Sequence, residues 1–140
     1  MRSHAGQVAL PGGRRDPTDA TLEAAALREA DEEIGLPARS VQVLGVGDAL
    51  WTPSGYVITP VVGLVGGGFE PTPNPAEVAR VFSAPLGLFR ERGAFRLLPE
   101  RARRLLRAYP VDGEVVWGAT AAMLCGLTRR LGEVESSEGA

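Results

Sequence analysis

The amino-acid sequence predicts an α/β (α+β) fold. Two observations carry that expectation. Short runs of β-branched and apolar residues recur along the chain, and two substantial helical stretches, one ending at Gly35 and one at Leu131, are mixed among them. A length of 140 residues suffices for a single hydrophobic core, so one domain is expected over 1–132, followed by a polar, frayed tail over 133–140.

The elements follow in order. Val8-Ala9-Leu10 reads as a strand end and Pro11-Gly12-Gly13 as a loop. Asp19 or Thr18 can cap the next helix, with Glu23 in its first turn and the helix formers Ala24 to Leu27 behind it. Leu22, Ala26, Leu27, Ala30 and Ile34 supply an apolar stripe, and Gly35 ends the helix. Val41 to Val46 alternates as a strand does. Tyr56 to Val65 reads as a buried strand in which Pro60 marks a bulge or an edge. Gly66 through Pro75 is a flexible Gly/Pro-rich loop, Val78 to Phe82 a further strand, and Pro85 to Arg90 a short helix. Leu105 to Tyr109 and Glu114 to Trp117 pair as a hairpin across Asp112-Gly113, and Gly118 to Leu131 is the closing helix.

The chemistry is concentrated in one stretch, Arg28-Glu29-Ala30-Asp31-Glu32-Glu33-Ile34-Gly35-Leu36, behind the glycine pair. Glu29, Glu32 and Glu33 fall at i, i+3 and i+4, which puts three carboxylates on one helical face. Bare, that face repels itself. Under a divalent cation it becomes favourable, and carboxylate oxygens are natural ligands of Mg²⁺ or Mn²⁺. Arg28 can reach Glu32 one turn on and support it. A Glu-Glu pair alone is more often a solvated helix surface; the whole pattern behind Pro-Gly-Gly is much more specific.

This run resembles the Nudix hydrolase box, G-x5-E-x7-R-E-U-x-E-E-x-G-U with U apolar, and matches it throughout from Arg28 to Leu36. The first box glutamate falls at Ala20 counted back from Arg28 and at Asp19 counted forward from Gly13, so the loop is one residue longer and an aspartate stands near the glutamate's place. A second segment, Arg2-Ser3-His4-Ala5-Gly6-Gln7-Val8-Ala9-Leu10-Pro11-Gly12-Gly13, resembles the R-x3-G-x3-F-P-G-G element of the coenzyme A pyrophosphatase-like branch, with Leu10 for the aromatic. The loop Asp16-Pro17-Thr18-Asp19, the segment Asn74-Pro75-Ala76-Glu77-Val78-Ala79-Arg80-Val81-Phe82 and the closing Val116-Trp117-Gly118-Ala119-Thr120-Ala121 resemble the same branch.

The resemblance implies a Nudix α/β/α sandwich with a mixed central sheet. It also implies strands ahead of Arg2, so the N-terminal strands are expected to be missing, and a protein starting at Met1 is expected to be poorly soluble or oligomeric and of low activity. It implies a metal-dependent hydrolase that cleaves the pyrophosphate of coenzyme A or a derivative into 4′-phosphopantetheine and adenosine 3′,5′-bisphosphate. The alternatives are a Nudix pyrophosphatase for another nucleoside diphosphate derivative such as ADP-ribose, or a Nudix-fold binding module without turnover. The intact acidic face argues against the last.

The metal-site residues are Glu29 and Glu33 as principal pair with Glu32 as third ligand, and the resemblance implies the Gly12 carbonyl as a further one. The general base is Glu29, Glu32 or the distal Glu77; Glu77 follows the flexible loop and can swing onto the metal, or it is simply a loop carboxylate at a strand start. Substrate binding falls to Arg2, His4, Gly6 and Gly13, Arg2 through its planar fork, with a frayed terminus as the competing reading.

Other residues carry less. Trp51 and Tyr56 bracket a turn that can stack on an adenine ring, though such aromatics more often only pack. Trp117 is expected in the core, and Arg101, Arg103, Arg104 and Arg107 on a solvated face. The lone Cys125 rules out an internal disulfide, reads as a core thiol and suits a cytoplasmic protein. A net charge of −2 leaves no electrostatic footprint for nucleic acid or a membrane. The expected partner is a small coenzyme A-like nucleotide, with a homodimer left open.

Overall fold

The computed structural model describes residues 7–90, 94–97 and 105–138. Helix α1 spans Leu22–Ile34. Its N-cap is Thr21, not Thr18 or Asp19: the Thr21 hydroxyl accepts the Ala24 N–H at 3.0 Å. Asp19 lies too far upstream to cap and pairs with Arg28 instead. Glu23 sits in the first turn and Gly35 closes the helix in the left-handed region at φ 69°, as expected. The covered face differs in part from the expected stripe. Ala25 and Ala30 are buried, whereas Leu22, in the first turn, is exposed.

Strand β1 (Val41–Val46) forms as expected. The expected strand Tyr56 to Val65 is broken. It divides into β3 (Val57–Ile58) and β4 (Val61–Val65), because Pro60 has no N–H for a ladder; its carbonyl instead accepts the Gly47 N–H at 2.8 Å. β4 pairs antiparallel with β1, and α1 packs against both. Leu44 is the extra residue of a bulge between Val43 and Gly45. Nor is this region buried throughout: Leu44 and Leu64 are each 55% exposed. β2 (Leu50–Trp51) and β3 make a short hairpin closed by Thr52, whose N–H donates to the Tyr56 carbonyl and whose hydroxyl accepts the Tyr56 N–H.

Val78 to Phe82 is not a strand. Its chain leaves a turn at residues 75–77 without entering a ladder, since Val78 spends its N–H on the Asn74 carbonyl. Val8 to Leu10 is irregular too. The short helix near residue 85 is a 3-10 turn, Leu86–Arg90. The expected hairpin is present as β6 (Leu105–Val111) and β7 (Glu114–Val116), turning at Asp112 and Gly113 with positive φ at both. β5 (Ala94–Leu97), which the sequence pattern did not announce, pairs antiparallel with β6. Helix α2 runs Gly118–Glu138, well past Leu131. No proline interrupts residues 131–138, and one internal Gly132 weakens a helix without ending it.

The chain divides into two compact units. The first includes Leu10–Ala49 and Ile58–Phe82, the second Gln7–Ala9, Leu50–Val57 and Ser83–Ala140. Among the described residues the strands form three small sheets. In the second unit Phe89, Tyr109, Val116 and Ala121 form the core, with the rings of Phe89 and Tyr109 edge-on at 5.0 Å. Cys125 packs there as a core thiol should, 3.0 Å from the Tyr109 hydroxyl. Trp117 is half-buried. No helix among the described residues is long and apolar enough to cross a membrane.

Candidate active site

All described parts of the candidate site belong to the first unit. The spacing of Glu29 and Glu33 on α1 puts their carboxylates on the side where the Gly12-Gly13 loop passes. The Gly12 N–H donates to Glu33 Oε2 at 3.3 Å. A Cβ placed on Gly13 would lie 2.5 Å from Glu29 Oε1, so any larger residue here would push the Glu29 carboxylate aside. Here it is the amide of Gly12, rather than its carbonyl, that meets a carboxylate. Arg2, His4 and Gly6 lie outside the described residues, as do Arg101, Arg103 and Arg104.

Arg28 organises the other side. Its Nη1 donates to Glu29 Oε1 at 3.1 Å and lies 3.4 Å from Glu32 Oε2. The expected Arg28–Glu32 pair is therefore present, but it is the longest of three. The shortest joins Nη2 to Asp19 Oδ2 at 2.9 Å, while Nε donates to Asp19 Oδ1 at 3.0 Å and Nη2 also reaches the Arg14 carbonyl. This bidentate pair is the strongest contact the fork geometry allows. Glu32, more than half exposed, points outward to Arg28.

Asp19 is held as firmly from its own loop. The Asp16 N–H donates to Asp19 Oδ2 at 2.8 Å, and the Asp19 N–H returns to the Asp16 carbonyl. Asp16 Oδ1 in turn accepts from the Thr18 N–H and hydroxyl. The sequence offered Asp19 as a helix cap and as the residue near the box glutamate's place; the one-residue offset was the available signal for its actual role. The Arg28 hydrogen bonds, helped by the Asp16 N–H, hold the Asp19 carboxyl below its ordinary pKa, and the same contact raises that of Arg28.

A pH dependence follows. A carboxylate whose pKa is depressed on folding adds stability above its unfolded pKa, and that stability is lost as pH falls through the folded value. Asp19→Asn is therefore expected to melt below the wild type at neutral pH, and the gap in Tm should close on acidification below about pH 4. Melting curves across that range check this. A gap that widens in acid contradicts it.

Glu33 shows the opposite shift. Burial comes first, and the negative charges of Glu29 and Glu77 add to it; together they outweigh the Gly12 N–H and raise its pKa. The Glu77 charge that acts on Glu33 comes from a separate part of the chain. The loop before it is tied down rather than free: the Thr72 and Asn74 N–H groups donate to the carbonyls of Ile34 and Glu33. Trp51 and Tyr56 are 75% and 49% exposed, so neither residue is packed away.

The donor set suits a hard divalent cation. It is all oxygen, and like charges crowd Glu33 in a way that a cation would relieve. Among the described residues no group of three acidic, His or Cys side chains is arranged to hold a metal ion. Mg²⁺ does not require one, since it commonly takes one or two carboxylates and keeps several waters. Glu29 and Glu33 are the residues placed to hold it.

Comparison with known proteins agrees with this geometry. The NUDIX domain family matches residues 1–109. The chain is 40% identical over 134 residues to a protein of Photorhabdus laumondii named uncharacterized Nudix hydrolase NudL, covering 94% of this chain and 72% of that one. It is 42% identical over 136 residues to a protein of the same name from Pectobacterium atrosepticum, covering 95% and 71%.

Proposed function

The chain belongs to the Nudix hydrolase family, and we propose that within it this protein is a Mg²⁺- or Mn²⁺-dependent pyrophosphohydrolase of coenzyme A or an acyl derivative. The observation that carries the hydrolase reading is the meeting of Glu29 and Glu33 with the Gly12-Gly13 loop, with the Glu77 charge acting on Glu33 from a second segment. The coenzyme A reading is supported by the Arg2 to Gly13 element and by the segments from Asn74 and from Val116. The proposal includes the family's α/β/α sandwich about a mixed sheet, supported by the family match and by the mixture of helices and strands, and a cytoplasmic setting, supported by the lone cysteine.

The reaction adds water to phosphorus and breaks the bridging P–O bond, leaving 4′-phosphopantetheine and adenosine 3′,5′-bisphosphate. A bound divalent cation supplies charge neutralisation at the phosphate oxygens and eases ionisation of the attacking water near neutral pH. Glu29 and Glu33 would hold that cation, while Glu32, the third ligand expected from the sequence, is turned to Arg28. Arg28 fixes Glu29 and Glu32 through one nitrogen, so the face of each turned to Arg28 is occupied. Glu77, on its own turn and with its charge acting on Glu33, is the base that takes the proton from water. The Gly12 and Gly13 backbone lines the approach, and Arg2 and His4 bind substrate phosphate.

The test is product analysis with coenzyme A, dephospho-coenzyme A, ADP-ribose and diadenosine polyphosphates in Mn²⁺. A charge-assisted contact to the 3′-phosphate should give coenzyme A the higher kcat/KM over its dephospho form, by roughly 10-fold. Equal values, or faster cleavage of ADP-ribose, would move the substrate to another nucleoside diphosphate derivative. Binding without turnover would make the chain a ligand-binding module.

A further inference from the structure

The turn that carries Glu77 is attached to the very helix that carries Glu33. The Thr72 N–H donates to the Ile34 carbonyl and the Asn74 N–H to the Glu33 carbonyl, each at 2.9 Å. Carbonyls in the last turn of a helix have no partner within it. Gly35 admits the approach: at φ 69° it has no side chain, and a Cβ there would stand 3.2 Å from that of Thr72. Asn74 then folds the chain back. Its Oδ1 accepts the Ala76 N–H at 3.1 Å, and its carbonyl accepts the N–H groups of Glu77 at 3.0 Å and Val78 at 2.8 Å. Pro75 presets φ inside this turn. One residue thus links the backbone of Glu33 to that of Glu77.

We propose that Asn74 is a positioning residue, which ties the turn bearing Glu77 to the Glu33 end of α1 so that the Glu77 carboxylate is delivered to the pyrophosphate site. This rests on the hydrolase reading above. A carboxylate on an untethered loop must be ordered afresh at every turnover, and a tethered one is ordered beforehand. The side chain of Asn74 supplies the bond to Ala76, while its N–H supplies the bond to Glu33. Truncating the side chain therefore loosens the turn but leaves the loop attached and α1 capped.

The experiment compares wild type, Asn74→Ala, Asn74→Asp, Glu77→Gln and the double variant Asn74→Ala/Glu77→Gln, with coenzyme A and ADP-ribose as substrates in Mn²⁺. Asn74→Ala should lower kcat roughly 10-fold with KM changed less than about twofold, as expected for loss of orientation rather than binding. Asn74→Asp keeps the acceptor oxygen and should retain most of the rate. In the Glu77→Gln background, Asn74→Ala should cost nothing more, because its effect runs through Glu77. Hydrogen exchange should quicken at the Ala76 and Glu77 amides and stay unchanged along α1.

A full additional loss in the double variant, an equal loss in Asn74→Asp, or exchange that quickens along α1 makes Asn74 merely structural and overturns the inference. Wild-type kcat in Asn74→Ala or in Glu77→Gln overturns it while leaving the hydrolase reading intact. No turnover of either substrate by the wild type overturns both.

Discussion

Glu29→Gln and Glu33→Gln are each expected to lower kcat on the order of 10²-fold or more, the scale of removing a group that stabilises charge in a transition state. Glutamine keeps the shape and an acceptor oxygen, so the amide introduced by Glu33→Gln can still receive the Gly12 N–H, and only the negative charge is lost. Without divalent cation Glu33→Gln should be at least as stable as wild type, whereas Glu29→Gln also gives up its ion pair with Arg28. The repulsion relieved is that of like charges one turn apart on a helix, about 0.2–0.5 kcal/mol. The pH dependence at Glu33 has a definite sign, because its pKa is raised on folding by burial, Glu29 and Glu77. Its contribution to stability is therefore fully present below the unfolded pKa and is lost as pH rises through the folded value. Melting curves without divalent cation should show wild type losing ground to Glu33→Gln with rising pH. Rates near wild type in both variants would remove Glu29 and Glu33 from the site.

Gly13→Ala is expected to lower kcat by roughly 10- to 100-fold with little change in Tm, since a misplacement of about 1 Å at a reacting group can cost that much. The new methyl would fall 2.5 Å from Glu29 Oε1 and 2.6 Å from its Cδ. Those atoms are the end of a flexible side chain, so the carboxylate yields and the loop does not. Arg28 Nη1 holds the same oxygen at 3.1 Å and lets go as it moves. Glu29→Asp shortens the side chain and withdraws it from the methyl. Combined with Gly13→Ala it should therefore show less loss than the two single variants multiplied. A fully active Gly13→Ala, or one that fails through unfolding, would show that this approach does not serve the chemistry.

Local chemistry made much of the first unit legible. Gly35 ends α1 because glycine enters the left-handed region without a Cβ clash, and the Glu29/Glu32/Glu33 face follows from helical periodicity alone. The Asp112-Gly113 turn was likewise readable. Elements that depend on distant partners were not. Val78 to Phe82 has the composition of a strand, yet nothing in that composition shows that the preceding chain spends its N–H groups on the end of α1. β5 escaped notice because its pairing partner β6 lies further along the chain. Asp19 read as a helix cap because a cap is a local reading, while its actual partner, Arg28, is nine residues away.

By itself the sequence determined that an acidic helix face stands behind a glycine loop, and with it the family. A helix imposes its own periodicity, so residues on one helix are placed relative to each other before anything else folds. Only the tertiary structure set Glu29 beneath Gly13 and brought the charge of Glu77 to bear on Glu33. Both depend on contacts between separate segments, held by hydrogen bonds that form when groups left over by one element find partners on another.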